Sequence, residues 1–117
     1  MDQILEQKIE EWLANCQKMI NEHYDKCFKN LTPSILKLDG GKKFLRVVTE
    51  NIGTMGKSAF AFIAVEDGNT KTLGAYKKGD ILKPATYKAP AKHARGNLFD
   101  NSNGMSMMSP YGPVYLK

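Results

Sequence analysis

Apolar residues at Ile4, Leu5, Ile9, Trp12, Leu13, Cys16, Met19, Ile20, Tyr24, Cys27 and Phe28 recur every three or four positions. Only a helix gathers such a set onto one stripe. The period holds for about seven turns, or about 40 Å of helix, and predicts an amphipathic helix over residues 1–30. Pro33 sets its end, because a proline pushes the preceding residue out of helical geometry. A stripe of this length has to be buried against a second element.

The rest of the chain supplies one. Short β-type runs at 35–38, 43–50, 58–66, 70–76 and 80–83 alternate with turn-forming stretches, among them Asp39-Gly40-Gly41, Asp67-Gly68-Asn69 and 77–79. That spacing predicts an antiparallel meander. Beyond Pro84, Pro90 argues against the interior of a regular strand or helix, leaving a short helix or turn at 91–98. Residues 100–109, rich in Asn, Ser, Gly and Met, read as a mobile loop, and 114–116 as a closing strand. The expected fold class is α+β, one long N-terminal helix packed on an antiparallel meander sheet of four to six strands. A chain of 117 residues makes a single domain of three parts. These are the helix at 1–30, the sheet with a basic segment at 34–99, and a loop with a C-terminal strand at 100–117.

The start of the chain is acidic and amphipathic, unlike a secretory peptide, and no apolar run reaches membrane-spanning length. Cys16 and Cys27 lie eleven residues apart in one helix, about 16 Å, which is beyond disulfide reach. Both thiols are expected to be apolar packing groups in a reducing cytoplasm, with no membrane partner.

Motifs for catalysis or cofactors are weak. Gly56-Lys57-Ser58 resembles the end of a phosphate-binding loop, but it leads into a strand-like run, and the amides that hold phosphate belong to a helix start. Phe60-Ala61-Phe62-Ile63 resembles part of the octamer with which RNA recognition motifs stack bases, although Ser58-Ala59 replaces its basic-glycine pair. The competing expectation puts Phe60 and Phe62 in the core beneath the helix. His23, Cys27 and Cys16 share a helix face without the paired spacings of a zinc site, so no metal and no cofactor is expected. No nucleophile elbow or carboxylate pair accompanies His93 or the C-terminal serines, and the chain reads as a non-enzyme.

Charge gives the functional lead. Residues 1–30 carry a net −2 and residues 31–117 a net +7, so the chain is polarised. From 71 to 95 seven cations meet one acid, Asp80, and two tyrosines and His93 are interleaved with them. Pro84 and Pro90 stiffen the segment, and small residues leave its backbone approachable. The candidate contacts are Lys77, Lys78, Lys83, Lys88, Lys92 and Arg95 for phosphates, with Tyr87 and His93 for bases. Single strands suit this better than duplex, because the one long helix is acidic and unfit for a major groove.

The run from Gly79 to Asn97 (GDILKPATYKAPAKHARGN) and the closing Tyr111-Gly112-Pro113-Val114-Tyr115-Leu116 resemble small uncharacterised proteins of tailed bacteriophages. So do Lys43-Phe44-Leu45-Arg46-Val47-Val48 and Phe60-Ala61-Phe62-Ile63, and the likeness covers most of residues 42–117. The resemblance implies a phage origin, an infected bacterial cytoplasm and a compact α+β fold, and it brings no catalytic residues with it. The expected function is low-specificity binding of RNA or single-stranded DNA. The alternative is a phage protein that binds and modulates a host or phage protein, with self-association through the helix as one form and the methionines of 105–108 as an adaptable contact.

Overall fold

The structure, a computed structural model, describes residues 3–27, 33–40, 44–50, 57–71, 73–87, 89–105, 108–109 and 112–113; of Lys92, His93 and Arg95 only the backbone is described. One helix, α1 (Gln3–Cys27), precedes strands β1 (Ile35–Leu38), β2 (Phe44–Glu50), β3 (Lys57–Ala64), β4 (Gly68–Thr70), β5 (Gly74–Tyr76), β6 (Asp80–Pro84), β7 (Pro90–Asn97), β8 (Met108–Ser109) and β9 (Gly112–Pro113). The fold is α+β. The main sheet is antiparallel with order β1-β2-β3-β6-β7, and β4-β5 and β8-β9 form separate two-stranded pairs.

The helix buries Leu5, Ile9, Trp12, Cys16 and Ile20, the centre of the expected stripe. Ile4, on the flank of that stripe, is 62% exposed. Against the stripe lie Leu45 and Val47 of β2, Phe60, Ala61 and Ile63 of β3, Ile81 of β6, and Leu98. Trp12 meets Phe60 edge to face, with ring centroids 6.1 Å apart, a favourable aromatic geometry.

Phe60 and Phe62 part company, although strict alternation would put both on one face. The β2–β3 register jumps from Val47↔Ala61 to Val48↔Ala59, which makes Phe60 the extra residue of a bulge. Phe60 and Ala61 therefore both face the helix. Phe62 turns to the opposite face, in register with Arg46 and Leu82, and it is buried there. Neither ring is an open stacking surface, and only Phe60 belongs to the core beneath the helix.

Several sequence expectations are corrected. Residues 91–97 form a strand instead of the expected short helix or turn, because Pro90 is only the first residue of β7, an edge strand that needs no inward N–H from it. Shifts in the β6–β7 register absorb the extra β7 residues. Gly68 and Asn69 belong to β4 rather than to a turn, because Gly68 faces Tyr76 across the pair and leaves room for its ring. The expected strand at 70–76 is thus broken into the end of β4 and all of β5. Residues 100–105 are held rather than loose. Asp100 Oδ1 accepts from the Ser102 amide and hydroxyl and from the Gly104 amide at 2.8–2.9 Å. Met105 and Met108 are half-buried and pack against the core, and Met107 lies outside the described residues. The expected strand at 114–116 lies outside the described residues.

One side chain seals a sheet edge. Gln17 accepts from the Leu36 amide through Oε1 and donates from Nε2 to the Ser34 carbonyl, both at 2.8 Å. The carboxamide thereby makes the two bonds that a neighbouring strand would make to β1. Gln17→Ala should lower the unfolding free energy by about 1–2 kcal/mol. Gln17→Glu, which keeps the acceptor and loses the donor, should fall between it and the parent. Urea midpoints measure both, and identical midpoints would refute the assignment.

Candidate nucleic-acid interface

The basic segment folds as the β6–β7 hairpin with the turn that leads into it. At the tip, the Ala85 and Thr86 amides donate to the Ala89 carbonyl at 3.0 and 3.1 Å, and the Thr86 hydroxyl accepts from the Ala89 amide. Tyr87 sits in this tip with 38% of its surface exposed. Its hydroxyl donates to Asp39 Oδ2 at 2.8 Å, in the connection after β1. The Arg46 guanidinium lies 4.7 Å from the ring centre and reaches the same carboxylate at 3.3 Å. The Tyr87 hydroxyl, and then the Arg46 guanidinium, hold the Asp39 carboxyl below its usual range, while the bond to Asp39 pushes the Tyr87 phenol up. The ring is fixed in place with one face capped by a cation.

Lys77 and Lys78 occupy the turn at the other end of the hairpin. Their amides donate to Asp80 Oδ2 and Asp67 Oδ1 at 2.9 and 2.8 Å. Asn97, the last residue of β7, donates from Nδ2 to the Lys78 carbonyl and to Asp80 Oδ1. The two lysines are thus tied to the end of β7. Lys77 is exposed, and the Lys78 ammonium stands 5.9 Å from the Phe99 ring centre. Burial works to raise the Asp100 pKa, but hydrogen bonds from Gly104, Ser102 and Asn97 outweigh it and leave it below the ordinary value.

The remaining expected contacts divide. Lys83 is half-buried, and its ammonium donates to the Pro113 carbonyl at 2.9 Å, so it fastens β9 rather than facing outward for phosphate. Lys92, His93 and Arg95 lie along β7, an edge strand about 26 Å long, and Lys88 lies outside the described residues. The structure therefore brings Lys77, Lys78 and Tyr87 to the two ends of one hairpin and the backbone positions of Lys92, His93 and Arg95 between them. Sequence reasoning did not find Asp39 and Arg46, which position Tyr87, or Phe99. Arg46, set among the apolar residues 44–48 of β2, was the one available signal.

Lys57 and Ser58 open strand β3, not a helix. Only one of the two cysteines is a packing group as expected: Cys27 is exposed, its thiol 3.9 Å from His23 Nδ1, whereas Cys16 is buried 3.7 Å from the Met105 sulfur, where burial pushes its pKa up to about 12. Among the described residues no three His, Cys, Asp or Glu side chains are placed to hold a metal, and no helix is long and apolar enough to cross a membrane.

A family model described as a family of unknown function (DUF7717) matches residues 2–112. No curated protein and no solved structure matches the chain.

Proposed function

Since the chain belongs to the DUF7717 family, whose function is unknown, its own surface has to supply the reading, and we propose that it is a non-enzymatic binder of RNA or single-stranded DNA with low sequence specificity. The observation that carries this is the Tyr87 ring, held by Asp39 and Arg46 at the tip of a hairpin whose other end carries Lys77 and Lys78 and whose strand β7 has Lys92 and Arg95 in its sequence. A ring already fixed loses little freedom when a base stacks on it, and a guanidinium on its far face strengthens the stack. Lys77, Lys78, Lys92 and Arg95 neutralise phosphates along the strand. We place this activity in an infected bacterial cytoplasm on the sequence resemblance of residues 42–117 to small tailed-phage proteins, a link that the family match does not itself make.

If four phosphates are engaged, the logarithm of affinity falls with the logarithm of salt at a slope of about −3 for a single strand. Replacing the four cations with alanine flattens that slope. Tyr87→Ala costs about 5- to 100-fold in affinity at an unchanged slope, because stacking carries no counterions. Titration of a labelled oligonucleotide at several salt concentrations reads all three. Affinity indifferent to salt, or kept by the four-alanine variant, would sink the reading. A second reading, a host or phage protein as partner, is favoured by Ile35 and Leu38, exposed at 39% and 44% on edge strand β1. A stoichiometric partner that survives nuclease treatment would mark it.

A further inference from the structure

At the foot of the hairpin an open cleft of about 590 Å³ lies between the start of the helix and the end of β7. Its wall includes Phe99, 42% exposed, and Ile4. Phe99 is a supported ring. Gly79, with φ +87°, has no side chain, and a Cβ there would stand 2.8 Å from Phe99 Cδ2, so the ring rests against bare backbone. The Phe99 amide donates to Asn97 Oδ1 at 2.8 Å, which fixes the residue from its own chain.

The charges of the cleft are mixed. Lys77 and Lys78 face Asp67, Asp80 and Asp100, a balance of −1. Those carboxylates close turns, since Asp80 takes the Lys77 amide and Asp67 the Lys78 amide. A phosphate entering this cleft meets three carboxylates, whereas a nucleobase brings a flat apolar face for Phe99 and N–H groups for carboxylate oxygens.

We propose that this cleft receives a nucleobase at one end of the bound strand, with Phe99 as its stacking surface and the adjoining phosphate held at the rim by Lys77 and Lys78. This rests on the nucleic-acid reading and adds to it a defined end position, opposite the one at Tyr87. The strand is then held by a ring at each end of the hairpin and by cations between them.

The test compares an eight-residue oligodeoxyadenylate with the same oligonucleotide made abasic at its 5′ or its 3′ terminal residue, on the parent protein, Phe99→Ala and Phe99→Leu. The parent should bind one of the abasic forms about 5- to 100-fold more weakly than the intact strand. Both variants should bind intact and abasic strands alike. Phe99→Leu preserves the apolar contact on Gly79, so a thermal melt close to the parent's separates loss of the ring from loss of fold. Equal binding of all three oligonucleotides by the parent, or a terminal-base preference that survives in the variants, overturns the proposal and leaves the nucleic-acid reading standing. Absence of binding to the intact strand overturns both.

Discussion

Replacing Trp12 with alanine is expected to lower the unfolding free energy by about 3–5 kcal/mol, the range for a large aromatic removed from a core. Trp12 is fully buried at the middle of the helix, against Phe60 on one side and the residue 104 backbone on another. These two neighbours come from strand β3 and the loop at 100–104, far apart in sequence, so the space it leaves cannot close by one local movement. An opposing contribution places the outcome in the lower half of the range. The indole Nε1 is buried with no hydrogen-bond partner among the described residues, and removing an unsatisfied donor returns part of its desolvation cost. Trp12→Phe keeps most of the ring and discards that donor, so its cost should stay below about 2 kcal/mol. Urea titrations at unchanged m-value measure both. A Trp12→Ala loss under about 1 kcal/mol would show that the helix is not anchored through this residue. Against a typical total of about 5–15 kcal/mol, the expected loss leaves the fold marginal.

Gly104→Ala should cost about 2–5 kcal/mol. The position has φ +78°, where a side chain costs about 1–2 kcal/mol, and a Cβ would collide with the end of Ile81 and stand 3.3 Å from Trp12 Cδ1. Overpacking of that kind adds about 1–3 kcal/mol. Gly40 separates the two contributions, since it shares φ +78° and has nothing within 4 Å of a Cβ. The difference between the midpoint shifts of Gly104→Ala and Gly40→Ala therefore isolates the packing cost. Equal shifts would mean that the loop at 100–104 moves aside freely.

The helix could be read from sequence because its signal is local, repeated and tied to burial. Leu5, Ile9, Trp12, Cys16 and Ile20 each report the same face. Strands β1, β2, β3 and β6 of the main sheet were legible for the same reason, whereas the separate β4-β5 pair was not. What escaped depends on neighbours distant in sequence. Pro90 marks a break only if both edges of its strand are paired, and nothing local says that β7 lies at a sheet edge. The bulge at Phe60 inserts one residue into a two-residue period and so sends Phe62 to the opposite face from the one alternation assigned it. In the candidate site, the cations and Tyr87 were visible as composition. The bond from Tyr87 to Asp39 spans 48 residues and leaves no mark in the local sequence. Lys83 shows the reverse error, since a lysine in a basic run carries no sign that its ammonium fastens a carbonyl 30 residues away.

Methyl and methylene groups are interchangeable to a helix sliding over a sheet, and a shift by one turn can find nearly equivalent contacts. A carboxamide that must meet the Leu36 amide and the Ser34 carbonyl together has a single solution. Gln17, with the Tyr24–Ser34 hydroxyl pair at 3.2 Å, thus adds a directional tie between the helix and the start of β1 to the packing fit made at Trp12. Without it, the far-ultraviolet signature of the helix would persist while amide resonances along residues 5–20 broaden from exchange between neighbouring alignments.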